Sequence, residues 1–395
     1  MLRQRPAGDK SWPIACSHTT LGVATKELDL SEAHLSYGDF EDATFKGTGV
    51  VNLTKTGLAH ADLSGSTVSA VGKQAQTIDF RGANLTNADL SGSKLTADSD
   101  GDRGERRDTG DSLIDFTGAD LANADLRGSR FTADSGNQER QSDDDDGGDA
   151  IIDFTEANLA HAYLSGWTLK ADADDNEGRE AIIDFKKANL AFADLSGSEL
   201  EVEAYHTAII DFTEANLAFA DLSGSRLTAD ALISATIDFE KANLANADLS
   251  GSKLYADGFG GSDNNAIIDF TEANLANAVL SDSRLKADGG YNNAMIDFEK
   301  ANLANADLSG SRLTAESVNR DTTIDFAKAN LTNADLSGSR LTAATAYGIT
   351  SARPETIDFT EADLANADFS GSMLTANKTI GLASPPPPSH RAGVA

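Results

Sequence analysis

The chain has 395 residues, and its 63 acidic and 32 basic side chains leave a formal charge of −31. That balance excludes nonspecific attraction to nucleic acid or an anionic membrane, and favours a cationic partner or a protein that ordinarily meets a polyanion. Apolar residues make up 40% and aromatic ones only 6%, and the single cysteine, Cys16, excludes an internal disulfide or a cysteine-based zinc site. Residues 1–27 carry neither the apolar stretch of a secretory signal nor a membrane span, so a cytoplasmic location is expected. This segment reads as an N-terminal cap. After it the chain becomes periodic. Leu30, Leu35, Phe40 and Phe45 stand five apart, and so do Leu53, Leu58, Leu63 and Val68.

From there one sentence is repeated, as in IDFEKANLANADLSGSKLYAD at 237–257. Its phenylalanine recurs ten times, as Phe80, Phe116, Phe154, Phe185, Phe212, Phe239, Phe270, Phe298, Phe326 and Phe359, at spacings of 27 to 38 residues. Within each copy four large apolar residues are five apart. Five fits neither the 3.6 of a helix nor the 2 of a strand. A bulky residue turned inward every fifth position requires a corner in every step, and four steps close a square coil. The residue two before each centre is small (Ala242, Ala247 and Ser252 in this copy) and fits inside beside the corner. Twelve such coils, stacked at the ~4.8 Å interstrand spacing, make a rod roughly 58 Å long.

The steps ANLAN, ADLSG and ANLTN resemble the pentapeptide-repeat pattern A(D/N)LXX, over residues 28 to about 376. The resemblance implies an all-β fold, a right-handed quadrilateral parallel β-helix of about twelve coils with corner loops. Inserts of 7 to 18 residues follow the fourth step of each copy. Ile rather than Ala or Ser precedes each Phe by two, at Ile78, Ile114 and their equivalents, which points to a corner opened by the insert. Residues 377–395, with SPPPPSH, read as a disordered Pro-rich tail.

Copies in register turn each outward position into a column. Before Phe stand Asp79, Asp115, Asp153, Asp184, Asp211, Asp238, Asp269, Asp297, Asp325 and Asp358. Asn precedes the second centre except at Asp120 and Asp363, and Asp precedes the third except at Tyr163 and Val279. Lys94, Arg130, Arg226, Lys253, Arg284, Arg312 and Arg340 precede the fourth. Stacked amides bond along a ladder, whereas carboxylates ~4.8 Å apart repel by ~0.9 kcal/mol even in water. Those aspartates are therefore either held by backbone hydrogen bonds near the corner or used as an interaction column. Some pentapeptide-repeat proteins imitate DNA and occupy DNA gyrase, and the resemblance makes that the second reading, although a mimic has no need of a basic column.

Acidic stretches lie in the inserts at 98–111, 141–149 and 172–177. Asp98, Asp100 and Asp102 begin like a calcium loop, but Arg103 stands where Gly is needed and Thr109 where a bidentate Glu is needed. The six histidines are scattered, and the SGS corners are turns rather than nucleophiles. No enzyme, cofactor or metal is expected. The sequence reads as a non-catalytic structural or interaction scaffold for a protein partner, with no direct nucleic-acid or membrane binding. A DNA-mimicking protein that binds a type II topoisomerase is the alternative.

Overall fold

The computed structural model describes residues 14–22, 27–72, 74–99, 110–135, 148–173, 179–258, 265–345 and 354–380. The chain winds as a four-sided solenoid. Two of its sides are continuous parallel sheets of 13 strands each, one built from the strands that lead into each Phe, the other from the strands that follow the fourth step. The other two sides are held by single parallel bridges, such as Asn216 to Asn243 and Asp221 to Asp248. Twelve full coils result, with a partial turn at each end. Within the segment read as a cap, residues 14–22 add part of a coil, with Thr20–Leu21 paired to Thr44–Gly47. Within the stretch read as tail, Lys378–Ile380 is a strand paired to Glu355–Asp358, so the solenoid runs to 380 rather than 376. The remainder of both segments lies outside the described residues, as do Asp100 and Asp102 of the calcium-like stretch, all of 101–109, most of 141–149 and 174–177.

Why five residues make one side follows from the fate of each amide, taking 242–247 as the example. Asn243 N–H donates to Ala215 of the coil before, and Leu244 and Asn246 donate to Asn274 and Ala276 of the coil after. Ala247 closes the turn by donating to the Leu244 carbonyl. Ala245 is left over, and its N–H goes to the Asn243 side chain at 3.3 Å. Backbone amides buried in a stack must be paired, and here one residue in five depends on a side chain for it. The turn also needs a left-handed residue: Lys241, Asn246 and Gly251 have φ of 57°, 60° and 64°. Gly and Asn adopt that conformation readily.

The interior is a single apolar column. The ten repeat phenylalanines stack face to face through the rod, with centroids 4.6–5.1 Å apart and planes within 8° of parallel. The Ile two residues before each Phe is fully buried, as at Ile237 and Ile268. Ala256 and Ala266 are buried as well, because the insert lengthens the strands on either side of this corner. Trp167 takes an inner position held by Ser in the other copies, and stands edge-on to Phe131, Phe154 and Phe185.

Candidate functional site, a column of aspartates

All ten aspartates that precede Phe fall in one column. The pairing runs Asp79, Asp115, Asp153, Asp184, Asp211 and Asp238, then Asp269, Asp297, Asp325 and Asp358, each Cα in register with the next. Each is the last residue of its strand, and each Oδ1 accepts the N–H two residues on: Thr213 to Asp211 at 2.6 Å, Glu240 to Asp238, Thr271 to Asp269 and Glu299 to Asp297 all at 2.7 Å. This is the amide that the ladder leaves over. The structural role of the column is therefore real, and it uses one carboxylate oxygen of the two. From Asp211 to Asp358 no other hydrogen bond to these side chains is found among the described residues.

Electrostatics divide the column into two parts. At its N-terminal end Arg81 bridges Asp79 and Asp115, and the Thr117 hydroxyl bridges Asp115 and Asp153 at 2.6 and 3.2 Å. Burial acts to raise Asp79, but Arg81 outweighs it and holds the carboxyl below its ordinary range. Beyond Asp115 no ion pair to the column is found among the described residues. Burial, reinforced by neighbouring carboxylates, raises Asp184 and Asp325, pushes Asp238 and Asp297 up to about 6, and raises Asp115 even beside Arg81. A low-dielectric surface and like charges both favour the neutral acid.

The aspartates before the third centre serve the same turn, as Ser223 N–H to Asp221 and Ser250 N–H to Asp248 at 2.8 Å show. The two acidic columns lie on opposite sides of the coil, so one flat partner meets only one of them. Between them, the asparagines form the expected ladder. Nδ2 of Asn189, Asn216, Asn243, Asn274, Asn302 and Asn330 each donates to Oδ1 of the preceding coil's asparagine at 3.0–3.1 Å.

Three surface features escaped the sequence reading. From Phe154 to Phe298 the residue two after Phe alternates in sign, as Glu156, Lys187, Glu214, Lys241, Glu272 and Lys300, with Lys300 to Glu272 at 3.3 Å. At the next corner His161, Phe192 and Phe219 stack at 4.9 Å, with the two phenylalanines half exposed in left-handed turns where other coils place Asn. The third is a further acidic column, Glu203, Asp230, Asp257, Asp288 and Glu316, at the end of the strands that follow the fourth step. Each becomes visible only when copies are aligned at a fixed offset from the centre, and the last lies beyond the fourth centre, inside what reads as insert. Among the described residues no group of three or more His, Cys, Asp or Glu is arranged to hold a metal ion.

A family model described as pentapeptide repeats matches the chain in eight copies, over residues 77–97, 112–132, 210–228 and 324–348. The chain belongs to the pentapeptide-repeat family. Among solved structures this pentapeptide-repeat protein is similar to HetL of the cyanobacterium Nostoc sp. strain PCC 7120, described as involved in heterocyst differentiation regulation. The two are 21% identical, with 76% of this chain and 89% of HetL covered at a TM-score of 0.24. It is also similar to full-length QnrB1, a plasmid-mediated fluoroquinolone resistance protein, at 15% identity, with 77% and 92% covered and a TM-score of 0.20. Rfr23 of Cyanothece 51142 is 16% identical, with 56% and 89% covered and a TM-score of 0.08. No curated protein sequence matches the chain.

Proposed function

We propose that this pentapeptide-repeat protein is a non-catalytic interaction scaffold that presents an acidic column to a cationic protein partner. The observation that carries this reading is the unbroken row of ten aspartates, each with one oxygen fixed by its own turn. From Asp211 onward, the described residues supply no donor to the second oxygen. Rigid, evenly spaced acceptors suit a partner that brings Lys or Arg at a matching interval. Charge density ranks the DNA-mimic reading second. One column offers a carboxylate every ~4.8 Å of rod, against a charge every ~1.7 Å of duplex DNA. Cations at Lys187, Lys241 and Lys300 stand one column away.

Replacing the ten aspartates with asparagine keeps an acceptor for each turn and removes the charge. Cross-linking in the native cell, followed by mass spectrometry, is expected to recover a partner with the native rod and to lose it with this variant. A control with asparagine at Asp194, Asp221, Asp248, Asp307 and Asp335 on the opposite side should keep the partner. A partner retained by the ten-fold variant would refute the reading. A supercoiling assay with purified gyrase separates the alternative, since a mimic inhibits it through the same column and a scaffold does not.

A further inference from the structure

Six of the strands that follow the fourth step share a pattern that the aspartate column does not explain. Lys94–Asp98, Arg130–Asp134, Arg226–Ala231, Lys253–Gly258, Arg284–Asp288 and Arg312–Ser317 read KLTAD, RFTAD, RLTADA, KLYADG, RLKAD and RLTAES. In each, the second and fourth residues are buried and the first, third and fifth face out. Every such strand thus shows a cation at its start and a carboxylate four residues on, about 13 Å away across the same face. Register stacks Arg226, Lys253, Arg284, Arg312 and Arg340 along one edge of this face and Asp230, Asp257, Asp288 and Glu316 along the other. The face is dipolar across its width and uniform along its length.

Most of its charges lack an ion-pair partner among the described residues. The five cations are exposed, and none has an ion-pair partner among the described residues. Arg226 lies over the Tyr255 ring at 5.5 Å instead. Asp230 and Asp257 also lack a cation within ion-pair range among those residues, and Oδ1 of Asp257 is buried there without a hydrogen-bond partner. In a chain with twice as many acids as bases, a row of cations without ion-pair partners beside a row of carboxylates, of which only Asp288 and Glu316 are met by a cation, Lys286, calls for a surface of the opposite polarity. The chain itself carries such a surface, at the same repeat.

We infer that this face binds a second copy of the chain, with the two rods side by side and parallel about a two-fold axis that runs along them between the faces. Such an axis preserves height and exchanges left for right. Arg226 then meets Asp230 of the second copy, Lys253 meets Asp257, Arg284 meets Asp288 and Arg312 meets Glu316. Four levels, each counted from both copies, give eight ion pairs. A two-fold axis across the rods would set cations against cations, so charge alone selects the parallel arrangement. Glu199 opposite Glu203 ends the match on one side, and Arg340 opposite Ala344 ends it on the other. Thr228, Tyr255, Lys286 and Thr314 lie on the midline, where Lys286 is already tied to Asp288 at 2.9 Å and Glu316 at 3.3 Å. Three of the four chain connections at the acidic edge are short, spanning 232–233, 289–292 and 318–321, and the fourth, 259–264, lies outside the described residues. Four levels cover about 300 Å² on each copy, well under the ~800 Å² of a stable interface, so the association is weak and strongly dependent on salt.

Sedimentation velocity on the full chain tests this. A concentration-dependent dimer is expected at about 50 mM salt, with its dissociation constant rising at least ~10-fold at about 500 mM. Two charge variants sharpen the result. One carries Arg226→Asp, Lys253→Asp, Arg284→Asp and Arg312→Asp; the other carries Asp230→Arg, Asp257→Arg, Asp288→Arg and Glu316→Arg. Each alone should remain monomeric, and an equimolar mixture should form the mixed dimer. Thr228→Cys in a Cys16→Ser background should cross-link to itself, which an antiparallel pair would not allow. A folded native chain that stays monomeric at low salt overturns the proposal, as does a mixture that fails to pair. Binding of a short DNA duplex by a monomeric native chain would overturn it too, and would assign the basic column to a phosphate backbone.

Discussion

In each of the first three steps of a coil one amide has no neighbour in the stack, and the residue just before the apolar centre receives it. That explains why Asn and Asp share this position, since both bring an oxygen to the same place. Asn also donates to the preceding coil, so it builds a ladder where Asp builds a row of like charges. Val279 brings no oxygen at all, in a column where Asp248 and Asp307 accept at 2.8 Å on either side. Val279→Asn is expected to stabilise the rod by about 1 kcal/mol, the net value of one hydrogen bond, measured as a raised urea midpoint at unchanged slope. Val279→Leu, which adds no acceptor, should give no gain. The A(D/N)LXX pattern was legible in the sequence, but the leftover amide was not, because period shows where a side chain points and not which backbone group lacks a partner. Phe192 and Phe219 were missed for a related reason: their position reads as a polar corner in the other copies, and only its φ of about 60° marks the bulky residue as exceptional.

Ten of the twelve coils have a phenylalanine at the first centre, and from Phe116 to Phe326 each touches its counterparts above and below. No coil could retain its shape alone, since its backbone hydrogen bonds run largely to its neighbours and its aromatic ring has both faces covered by theirs. Phe239→Ala removes one ring from the middle of the stack, between Phe212 and Phe270 at 4.8 Å each. The expected cost is about 3–5 kcal/mol, and in a solenoid it should appear locally. Hydrogen exchange should accelerate in the three coils around Phe239 and remain slow near Phe116. Uniform acceleration along the chain would show instead that the rod unfolds as one unit. At this scale the sequence conveyed the coil, its four sides and the buried Ile at the opened corner. LTAD and IDF read as extended segments running into and out of each insert, as the strands show, but the length of the strand beyond the fourth centre was not conveyed, because short strands bounded by inserts of varied length have no period of their own. The acidic edge of these strands went unseen with it.

Charge sets the behaviour of the whole rod. Asp238, Asp257 and Asp297 are pushed up to about 6 from an ordinary 3.8, mainly by burial and then by neighbouring carboxylates. A carboxyl whose pKa is higher in the folded chain than in the unfolded one favours the fold when protonated. That contribution is complete below the unfolded value and is lost as pH rises through about 6. Asp79, Asp125 and Glu299 are lowered, so their contribution is lost only at still more acidic pH. The melting temperature should therefore rise between about pH 7.5 and about pH 5, the reverse of the usual carboxylate trend, before falling in stronger acid. Asp238→Asn with Asp297→Asn should raise the midpoint at neutral pH and flatten the rise. A pH profile that is the same in the native chain and this variant would count against burial of these carboxyls as the cause.

Backbone hydrogen bonds that run from coil to coil also make the rod a spool. Tension applied to the C-terminal end meets one coil's worth of bonds at a time, and the coil beneath becomes the new end as soon as the last has gone. Between Phe212 and Phe239 one release frees 27 residues, about 90 Å of extended chain, while the rod itself shortens by only ~4.8 Å. The spacings of 27 to 38 residues between successive phenylalanines thus become a series of unequal payout lengths, written in the order in which the tether would run out.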